Sequence, residues 1–533
     1  MTDDGLLTRL SSILGLRGPG SKYSPDFKRQ YPAPTKVTRG LLLATLSAFI
    51  FITIYLTSFT PSRTHLHPTT LSPQPPNPPA PAPAQKSTLH LLIPASRPDP
   101  NLCKALVSAR VLGYPSPTII NWNTTFSDPA FVEGGSHLAK INGTAAFLDS
   151  LGADHDGDLV LMLDGYDAWV QLRPQTLVER FLAVNGRADG RVKGEMGEAG
   201  EGARQEIVFG CQKRCWPWSE SDPPCYAVPE SSLATDIFGP ATDADVDNEV
   251  NPWITFRPRY LNSGVAMGRV GAMRKLFDQA LAQAPEDANF GSDQYIFSHI
   301  FGDQELWREI VRRDAGLAPR EGWNETHIEE VRAKAAARED GNFEFGLGVD
   351  YGSEIGLNTV FAEDDTDWVR FEDEEQLRRV QDDRGIREEK RRLRTVAADI
   401  EDTAPPVQLS GETTWKNVSL FTDVWTGISP VVIHHNAHRD GMKSLRETWW
   451  PVVWFQENLR GLLDATSPGP QSYVAVESRD SEVPRQYWPA YEADEGDPKT
   501  YIARDGGSGN WLDYHDICGA YDDELFRDGS GWV

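Results

Sequence analysis

Short apolar runs alternate with longer amphipathic segments from about residue 88 onward. The apolar runs are rich in Leu, Ile and Val and predict strands, including LHLLIPAS (89–96), PTIINW (117–122), DLVLMLDGYDAW (158–169) and IVFGCQ (207–212). The segments between them have helical spacing, as in CKALVSARVLGY (103–114), HLAKINGTAAFLDSL (137–151) and AMRKLFDQALAQA (272–284). This alternation predicts an α/β domain in which a mixed sheet is flanked by helices.

A second pattern precedes that domain. Residues 40–59 are uncharged and just long enough to cross a hydrocarbon core of about 30 Å, so we expect a transmembrane signal anchor. Residues 1–39 carry seven Lys/Arg against three Asp, which predicts a cytoplasmic tail and a luminal remainder. The rival interpretation, a cleaved signal peptide, requires a far shorter positive region. The short span favours an endomembrane, the Golgi or the endoplasmic reticulum.

The segment after the anchor is rich in proline. Residues 60–87 hold almost nothing that a core could bury and predict an extended stalk. Glycosylation sequons begin at Asn123, Asn142, Asn324 and Asn417, all beyond the span. The sequons therefore agree with a single-pass type II membrane protein whose large domain is luminal.

The predicted catalytic domain covers residues 88–465, with one segment inserted in it and another following it. Residues 371–412 form a strongly charged run with few apolar anchors, which predicts a solvated helical insertion. Residues 466–533 form a C-terminal extension, loop-like but with several aromatic residues, which we expect to pack on the domain surface.

Charge and cysteine content exclude several classes of protein. A net charge of −26 argues against a general nucleic-acid binder, which needs a basic surface. Five cysteines in 533 residues do not make a disulfide scaffold, and none has zinc-finger spacing. In an oxidising lumen, Cys211, Cys215 and Cys225 are close enough for one local disulfide, whereas the pairing of Cys103 and Cys518 stays open. Because five is odd, at least one thiol is left over.

The first candidate for chemistry is LDGYD, directly after a buried strand. Asp164 and Asp167 lie three residues apart where the carboxyl end of a strand meets a loop, the usual position of ligands in open α/β sheets. Two such carboxylates can share a hard divalent cation. The alternative is a structural Asp-Gly turn, which is common.

Further candidates follow two other apolar runs. The run PVVI ends at His434, whose neutral imidazole could complete a site with the two aspartates, and Lys443 could meet phosphates as a point charge. In YLNSGVAMG, we expect Asn262, Ser263 and Gly264 to form a tight polar turn after a strand. Asp293 is predicted to open a helix, with a purely structural N-cap role for Ser292 or Asp293 as the alternative.

These segments together resemble a known family. Six motifs occur in the order of the glycosyltransferase domain of the procollagen lysyl hydroxylases: LDGYD, the CWP of KRCWPW, YLNSG, the SDQ before YIF, LGVDYGSEIGLNTVF and VVIHHN. The resemblance covers residues 88–450, and it implies a GT-A fold, a UDP-sugar donor and Mn²⁺.

The resemblance also implies roles for individual residues. Asp164, Asp167 and His434 would ligate the metal, Tyr166 would lie against the uracil and Lys443 would approach the diphosphate. Asp293 would sit near the acceptor, as a catalytic candidate together with Asn262. Ser96 and the loosely matching Gly441 are further donor-binding candidates.

The chain departs from this family in three places. Ser292 stands before Asp293 where the family usually has a second Asp, which puts acceptor handling or catalysis in question. The segment after His434 is longer than the family's turn. Nothing downstream resembles the hydroxylase part, so the chain looks like the transferase alone.

The sequence thus predicts a metal-dependent enzyme that moves a hexose, glucose or galactose, from a UDP-sugar to a hydroxyl of a protein or glycan. A non-catalytic carbohydrate-binding or scaffold protein on the same fold is the main alternative, and a metal-dependent hydrolase is a further one. Adjacent residues of an extended chain point to opposite sides, so only one of His434 and His435 can face the cation. The family's spacing of His to Asn selects His434.

Overall fold

The computed structural model describes most of the chain beyond the predicted stalk. The described residues are 84–124, 135–287, 291–406, 412–436, 442–465, 474–477, 484–489, 499–504 and 509–527. They belong to one unit, Pro81–Val533. The predicted tail and membrane span, and most of the stalk, lie outside these residues. Among the helices that the structure describes, none has the length and apolar character that a bilayer crossing needs.

The order of elements follows the predicted alternation. The strands are β1 (Gln85–Pro94), β2 (Thr118–Ile120), β3 (Leu159–Leu163), β4 (Ala168–Val170), β5 (Ile207–Gln212), β6 (Tyr260–Arg269), β7 (Leu347–Val349), β8 (Gly356–Asn358), β9 (Thr366–Val369), β10 (Leu420–Asp423), β11 (Val432–His434), β12 (Ala475–Glu477), β13 (Arg485–Pro489), β14 (Lys499–Ala503) and β15 (Gly509–Asp513).

The longer helices pack on the sheet, and several short ones lie in the connections. They are α1 (Pro100–Leu112), α2 (Gly135–Leu151), α3 (Pro174–Met196), α4 (Pro223–Tyr226), α5 (Val270–Asp287), α6 (Asp293–Asp314), α7 (Glu325–Ala337), α8 (Glu374–Asp383), α9 (Ala398–Glu401), α10 (Leu445–Trp449), α11 (Leu459–Ala465), α12 (Tyr514–Cys518) and α13 (Asp522–Phe526).

One mixed sheet organises the described part of the chain. Its main path runs β15-β14-β2-β1-β3-β6-β5-β8-β11-β4, with β13 beside β1 and β7 beside β5. β1 and β3 are parallel, β6 is antiparallel to β3 and β5, and β8 and β11 run parallel to β5. β1, β3, β5, β8 and β11 therefore point the same way, and their carboxyl ends meet at one edge.

The sheet is buried on both faces. Along β3, Leu159, Leu161 and Leu163 pack into one apolar cluster, whereas Val160 and Met162 pack into another. Alternate side chains of a strand point to opposite faces, so a continuous apolar run lies between two helical layers. The predicted α/β class, a mixed sheet flanked by helices, is confirmed.

One local prediction is wrong. Asn262, Ser263 and Gly264 do not form a turn but lie inside β6, which is continuous from Tyr260 to Arg269. β6 pairs with β5 across a register shift between Phe209 and Gly210, and this irregularity lets a polar Asn-Ser-Gly triplet stay within a ladder. The polar triplet looks like a turn only when its paired strands are unknown.

The charged run and the C-terminal extension are tied to the domain more closely than their composition indicates. Within 371–412, apolar side chains of the described residues, among them Leu377, Leu393 and Ile400, enter the main core. In the extension, β13 pairs with β1 and β14 pairs with β2, so the segment predicted as loop-like contributes strands to the sheet.

Two disulfides are present in the structure. The one local bridge expected among Cys211, Cys215 and Cys225 forms between Cys215 and Cys225. Cys103–Cys518 joins α1 to α12 across 415 residues. Cys211 is the thiol left over, and it is buried in β5.

Candidate active site

Polar side chains gather at the edge where the parallel strands end. Asp164 follows β3, His434 ends β11 and Asn358 ends β8. The antiparallel strand β6 begins at this same edge and contributes Asn262. The topology therefore places these four residues, each from a different strand, at one edge of the sheet, where ligand sites of open α/β sheets lie.

The imidazole of His434 is held in one orientation by the neighbouring strand. The Asn358 side chain donates from Nδ2 to the Cys211 carbonyl at 3.0 Å, so its Oδ1 faces His434. His434 Nδ1 lies 2.7 Å from that oxygen and must donate to it. The proton is thereby placed on Nδ1, and the lone pair of Nε2 points toward Asp164 Oδ2, 3.6 Å away. A metal-ligating histidine typically has this arrangement, with its second nitrogen hydrogen-bonded.

Gly264 gives the imidazole its space. A Cβ atom at this position would lie 1.9 Å from His434 Cε1, so any side chain here would displace the ring. Gly210 has a similar role for Asn358, whose Nδ2 would lie 2.6 Å from an added Cβ. These two glycines allow close approach of the backbone to the site, which a larger residue would block.

A buried lysine joins two of the three candidate carboxylates, Asp164 and Asp293. Lys140, from α2, places Nζ 2.9 Å from Asp164 Oδ1 and 2.5 Å from Asp293 Oδ2, at the start of α6. It also donates to the Ser263 carbonyl at 3.3 Å. Burial alone would raise the pKa of Asp164, but the Lys140 ammonium outweighs it and holds that pKa well below its usual range. Asp164 is thus ionised over the whole physiological range.

Asp167 lies in a different set of contacts. Its carboxylate pairs with Lys443 Nζ at 2.6 Å and with Arg446, which also donates to the Tyr166 carbonyl at 2.9 Å. Among the described residues, the ligand atoms of Asp164, Asp167 and His434 do not all come within 4.8 Å of one another. Asp167 is therefore held by cations of the chain, while Asp164 and His434 face each other.

Tyr166 and Ser96 meet beside the end of β1. The Tyr166 hydroxyl accepts from the backbone N–H of Ser96 at 2.8 Å and from that of Arg97 at 3.1 Å. It donates in turn to the Arg97 carbonyl at 3.2 Å. Two of the predicted donor-binding residues, Tyr166 and Ser96, are thus in direct contact, and the half-buried ring of Tyr166 is fixed against the strand end.

Asn262 and Ser292 lie in β6 and at the start of α6. Asn262 is buried, donates to Gln212 Oε1 at 2.8 Å and accepts from the Gly264 N–H at 3.1 Å, so it supports the strand pairing. Ser292 is the N-cap of α6, but its side chain makes no cap hydrogen bond. Gly441 lies outside the described residues.

His435 turns away from Asp164, as the alternation argument predicts. Its ring packs against Trp169, with centroids 4.0 Å apart, and against Trp449 at 5.6 Å. Burial and the neighbouring positive charges keep the pKa of His435 well below its ordinary value. His435 is therefore a neutral core residue.

Sequence reasoning missed Lys140, Asn358 and Arg446. Lys140 stands on a helix with no other chemical signal, and only its burial distinguishes it from a surface lysine. Asn358 lies inside LGVDYGSEIGLNTVF, one of the motifs of the resemblance, which was the available signal. Arg446 has no such signal, because it meets Asp167 only through the fold.

The donor set suits a divalent cation. An ionised Asp164 and the free Nε2 of His434 supply one oxygen and one nitrogen, a combination that accepts Mn²⁺ more readily than Mg²⁺. Asp167 could add a second carboxylate once Lys443 or Arg446 turned to another anion such as a diphosphate.

Comparison with known proteins adds no family to this description. No protein-family model matches the chain, and the search of curated proteins finds no match either.

Proposed function

We propose that this protein is a metal-dependent hexosyltransferase of GT-A-like fold. It would transfer glucose or galactose from a UDP-sugar to a hydroxyl group of a protein or glycan acceptor. The observation that carries the proposal is the pairing of an ionised Asp164 with a His434 whose Nε2 lone pair faces it, at the carboxyl ends of β3 and β11. The order of six motifs supports the same conclusion.

Asp164 and His434 would hold the metal, with Asp167 as the third ligand. When bound, Mn²⁺ would supply positive charge to neutralise the diphosphate leaving group. Lys443 and Arg446, now on Asp167, are long cationic side chains within reach of the same anion and would bind its phosphate oxygens. Tyr166 and Ser96 would orient the nucleoside beside the end of β1.

Asp293 is the candidate for handling the acceptor proton. It is buried at the start of α6 and connected to Asp164 through Lys140. In an inverting reaction, Asp293 would accept the proton of the attacking hydroxyl. In a retaining reaction, a phosphate oxygen of the donor would accept it instead.

The proposed setting is the lumen of the Golgi or the endoplasmic reticulum. Support comes from the uncharged residues 40–59, the positive flank before them and the four sequons beyond them. Among these, Asn123, Asn142 and Asn324 are exposed, as acceptors of glycan must be.

The main alternative is a non-catalytic carbohydrate-binding protein. One observation favours it: Lys140, Lys443 and Arg446 already neutralise Asp164 and Asp167 without any metal. A site whose carboxylates are permanently paired with cations of the chain would bind no divalent ion.

A donor-hydrolysis assay separates these two functions. The purified chain is incubated with a panel of UDP-sugars, with Mn²⁺ or with chelator, and slow release of UDP is measured. We expect UDP release from one hexose donor, and only when Mn²⁺ is present. Asp164→Asn should abolish this release. Asp383→Asn, the control at an exposed aspartate in α8, should retain it. No UDP release from any donor, together with no Mn²⁺ binding, would favour the non-catalytic protein.

A further inference from the structure

A second group of metal-type ligands lies at the opposite end of β3 from Asp164. His90, His155 and Asp158 each offer one ligand atom, and these three atoms lie within 4.8 Å of one another. Asp158 directly precedes β3 and Asp164 directly follows it. Six residue steps at about 3.3 Å each separate the two positions by roughly 20 Å, so the group is distinct from the candidate active site.

The three side chains converge on one oxygen. His90 Nε2 lies 3.1 Å from Asp158 Oδ2, and His155 Nδ1 lies 2.7 Å from the same oxygen. In a tetrahedral zinc site with bonds of about 2.1 Å, ligand atoms are about 3.4 Å apart, somewhat more than these separations. Small outward shifts of the rings would therefore admit a cation between the three atoms.

The surroundings hold the ligands in place. Asp158 Oδ1 accepts the Thr88 N–H at 2.7 Å, which leaves Oδ2 for the histidines. The ring of His90 packs edge-on against Phe147, with centroids 6.1 Å apart. The Asp158 N–H donates to the His155 carbonyl at 2.9 Å and closes the turn 155–158. This turn brings the His155 ring next to the Asp158 carboxylate.

We propose that His90, His155 and Asp158 bind a Zn²⁺ ion. Two neutral imidazoles and one carboxylate are a donor set that zinc prefers, and three protein ligands leave a fourth position for water. The side chain of His155 is 46% exposed, so that position opens to solvent. The ion would replace the two hydrogen bonds to Oδ2, and the proton of each ligating imidazole would then lie on the other ring nitrogen, Nδ1 of His90 and Nε2 of His155.

The consequence of binding is a brace between β1 and the loop before β3. His90 belongs to β1, whereas His155 ends a short 3₁₀ turn, Ala153–His155. A bound ion would fix this loop to the strand, and binding to the folded chain alone stabilises the fold. This inference does not depend on the proposed transferase activity.

Zinc binding to the purified full-length chain tests the proposal. Zn²⁺ alone is titrated against a chromogenic chelator with wild type, His155→Ala and the control His137→Ala, an exposed histidine of α2. We expect the affinity to fall at least about tenfold in His155→Ala and to be unchanged in His137→Ala. Asp164→Asn should keep this zinc ion, since its carboxylate lies at the other end of β3.

A second measurement covers the case in which a variant is poorly folded. Saturating Zn²⁺ should raise the thermal midpoint of wild type but not that of His155→Ala or His90→Gln. The proposal is overturned if wild type binds no zinc at micromolar concentration, or if His155→Ala binds it as wild type does. In that case the three residues are only a hydrogen-bonded network.

Discussion

At the scale of single residues, the tautomer of His434 is set by a residue 76 positions earlier in the chain. Asn358 Oδ1 accepts a hydrogen bond from His434 Nδ1, and it faces His434 because the Nδ2 of the same amide donates to the Cys211 carbonyl. The alternation of His434 and His435 follows from the strand PVVI and is readable in the sequence. The residue that orients the His434 ring, Asn358, cannot be predicted in the same way, because no residue near His434 in the sequence indicates it.

The two histidines should respond differently to removal. His434→Ala removes a proposed metal ligand and should abolish Mn²⁺-dependent UDP release, whereas His435→Ala should retain it. His435→Ala leaves a hole between Trp169 and Trp449 and should lower the free energy of unfolding by about 1–3 kcal/mol. Activity assays and urea unfolding of both variants check this, and the opposite order of effects would contradict the assignment.

Asn358→Ala should weaken the metal site without removing a ligand. Loss of the partner that orients a metal-bound imidazole typically reduces metal affinity by about 10–100-fold, so the Mn²⁺ concentration for half-maximal UDP release should rise by this factor. The matched control is Asn185→Ala. Asn185 is another buried asparagine, on α3, whose side-chain oxygen accepts a hydrogen bond from Gln205 Nε2 at 3.1 Å. Equal effects of the two variants on the Mn²⁺ requirement would mean that Asn358 acts only through stability.

Lys140 should matter to both stability and metal binding. Lys140→Met leaves Asp164 and Asp293 facing each other without their shared ammonium, and breaking such a buried pair costs about 3–5 kcal/mol. We expect Mn²⁺ to restore part of this loss, because the cation would supply the missing positive charge. Unfolding curves with and without Mn²⁺ measure this recovery of stability. If Lys140→Met is as stable as wild type in chelator, the ion pairs of Lys140 with Asp164 and Asp293 contribute nothing to stability.

At the scale of elements, strands and helices with strong apolar periodicity were predictable, and irregular pairings were not. β3, β5 and α5 follow from their own residues, since each has a local pattern that tertiary contacts do not oppose. The Asn-Ser-Gly triplet in β6 and the three-residue strands β7 and β8 depend on neighbours distant in sequence. Such elements have no period of their own to detect.

The turn between β7 and β8 should make stability depend on pH. Burial, and then the nearby Glu354, raise the pKa of Asp350 to about 6, while its Oδ2 accepts the Ile355 and Gly356 N–H groups. A carboxyl whose pKa is raised by folding favours the folded state below its unfolded pKa. The free energy of unfolding therefore falls as the pH rises from about 4 to about 6, by up to about 3 kcal/mol in total.

Asp350→Asn removes this titration and keeps an acceptor oxygen for the turn. Relative to the variant, wild type should therefore lose stability between about pH 4 and pH 6. Urea unfolding at several pH values measures the difference, with Asp383→Asn as the exposed control. A difference between wild type and Asp350→Asn that stays constant with pH would show that Asp350 is ionised in the fold.

At the scale of the whole molecule, the C-terminal residues complete the domain. β13 extends the sheet beside β1, the buried Arg269 pairs with Glu477 at 2.6 Å, and Lys104 of α1 pairs with Glu524 of α13 at 2.8 Å. Composition alone favoured an appended loop because the strands are short and separated by polar segments. Their partners are strands at the beginning of the domain, so only the folded chain reveals the pairing.

The long-range disulfide should therefore contribute more than the local one. Cys103–Cys518 closes a loop of 415 residues and Cys215–Cys225 one of only 10, and the entropy lost by the unfolded chain grows with loop length. Replacing Cys103 and Cys518 together by serine should cost about 2–5 kcal/mol, more than the same change at Cys215 and Cys225. Denaturant unfolding of the two double variants compares them, and alkylation of the unfolded wild-type chain should label Cys211 alone. Equal losses would mean that the strands and ion pairs already hold the C-terminal residues, and that the disulfide adds no constraint to them.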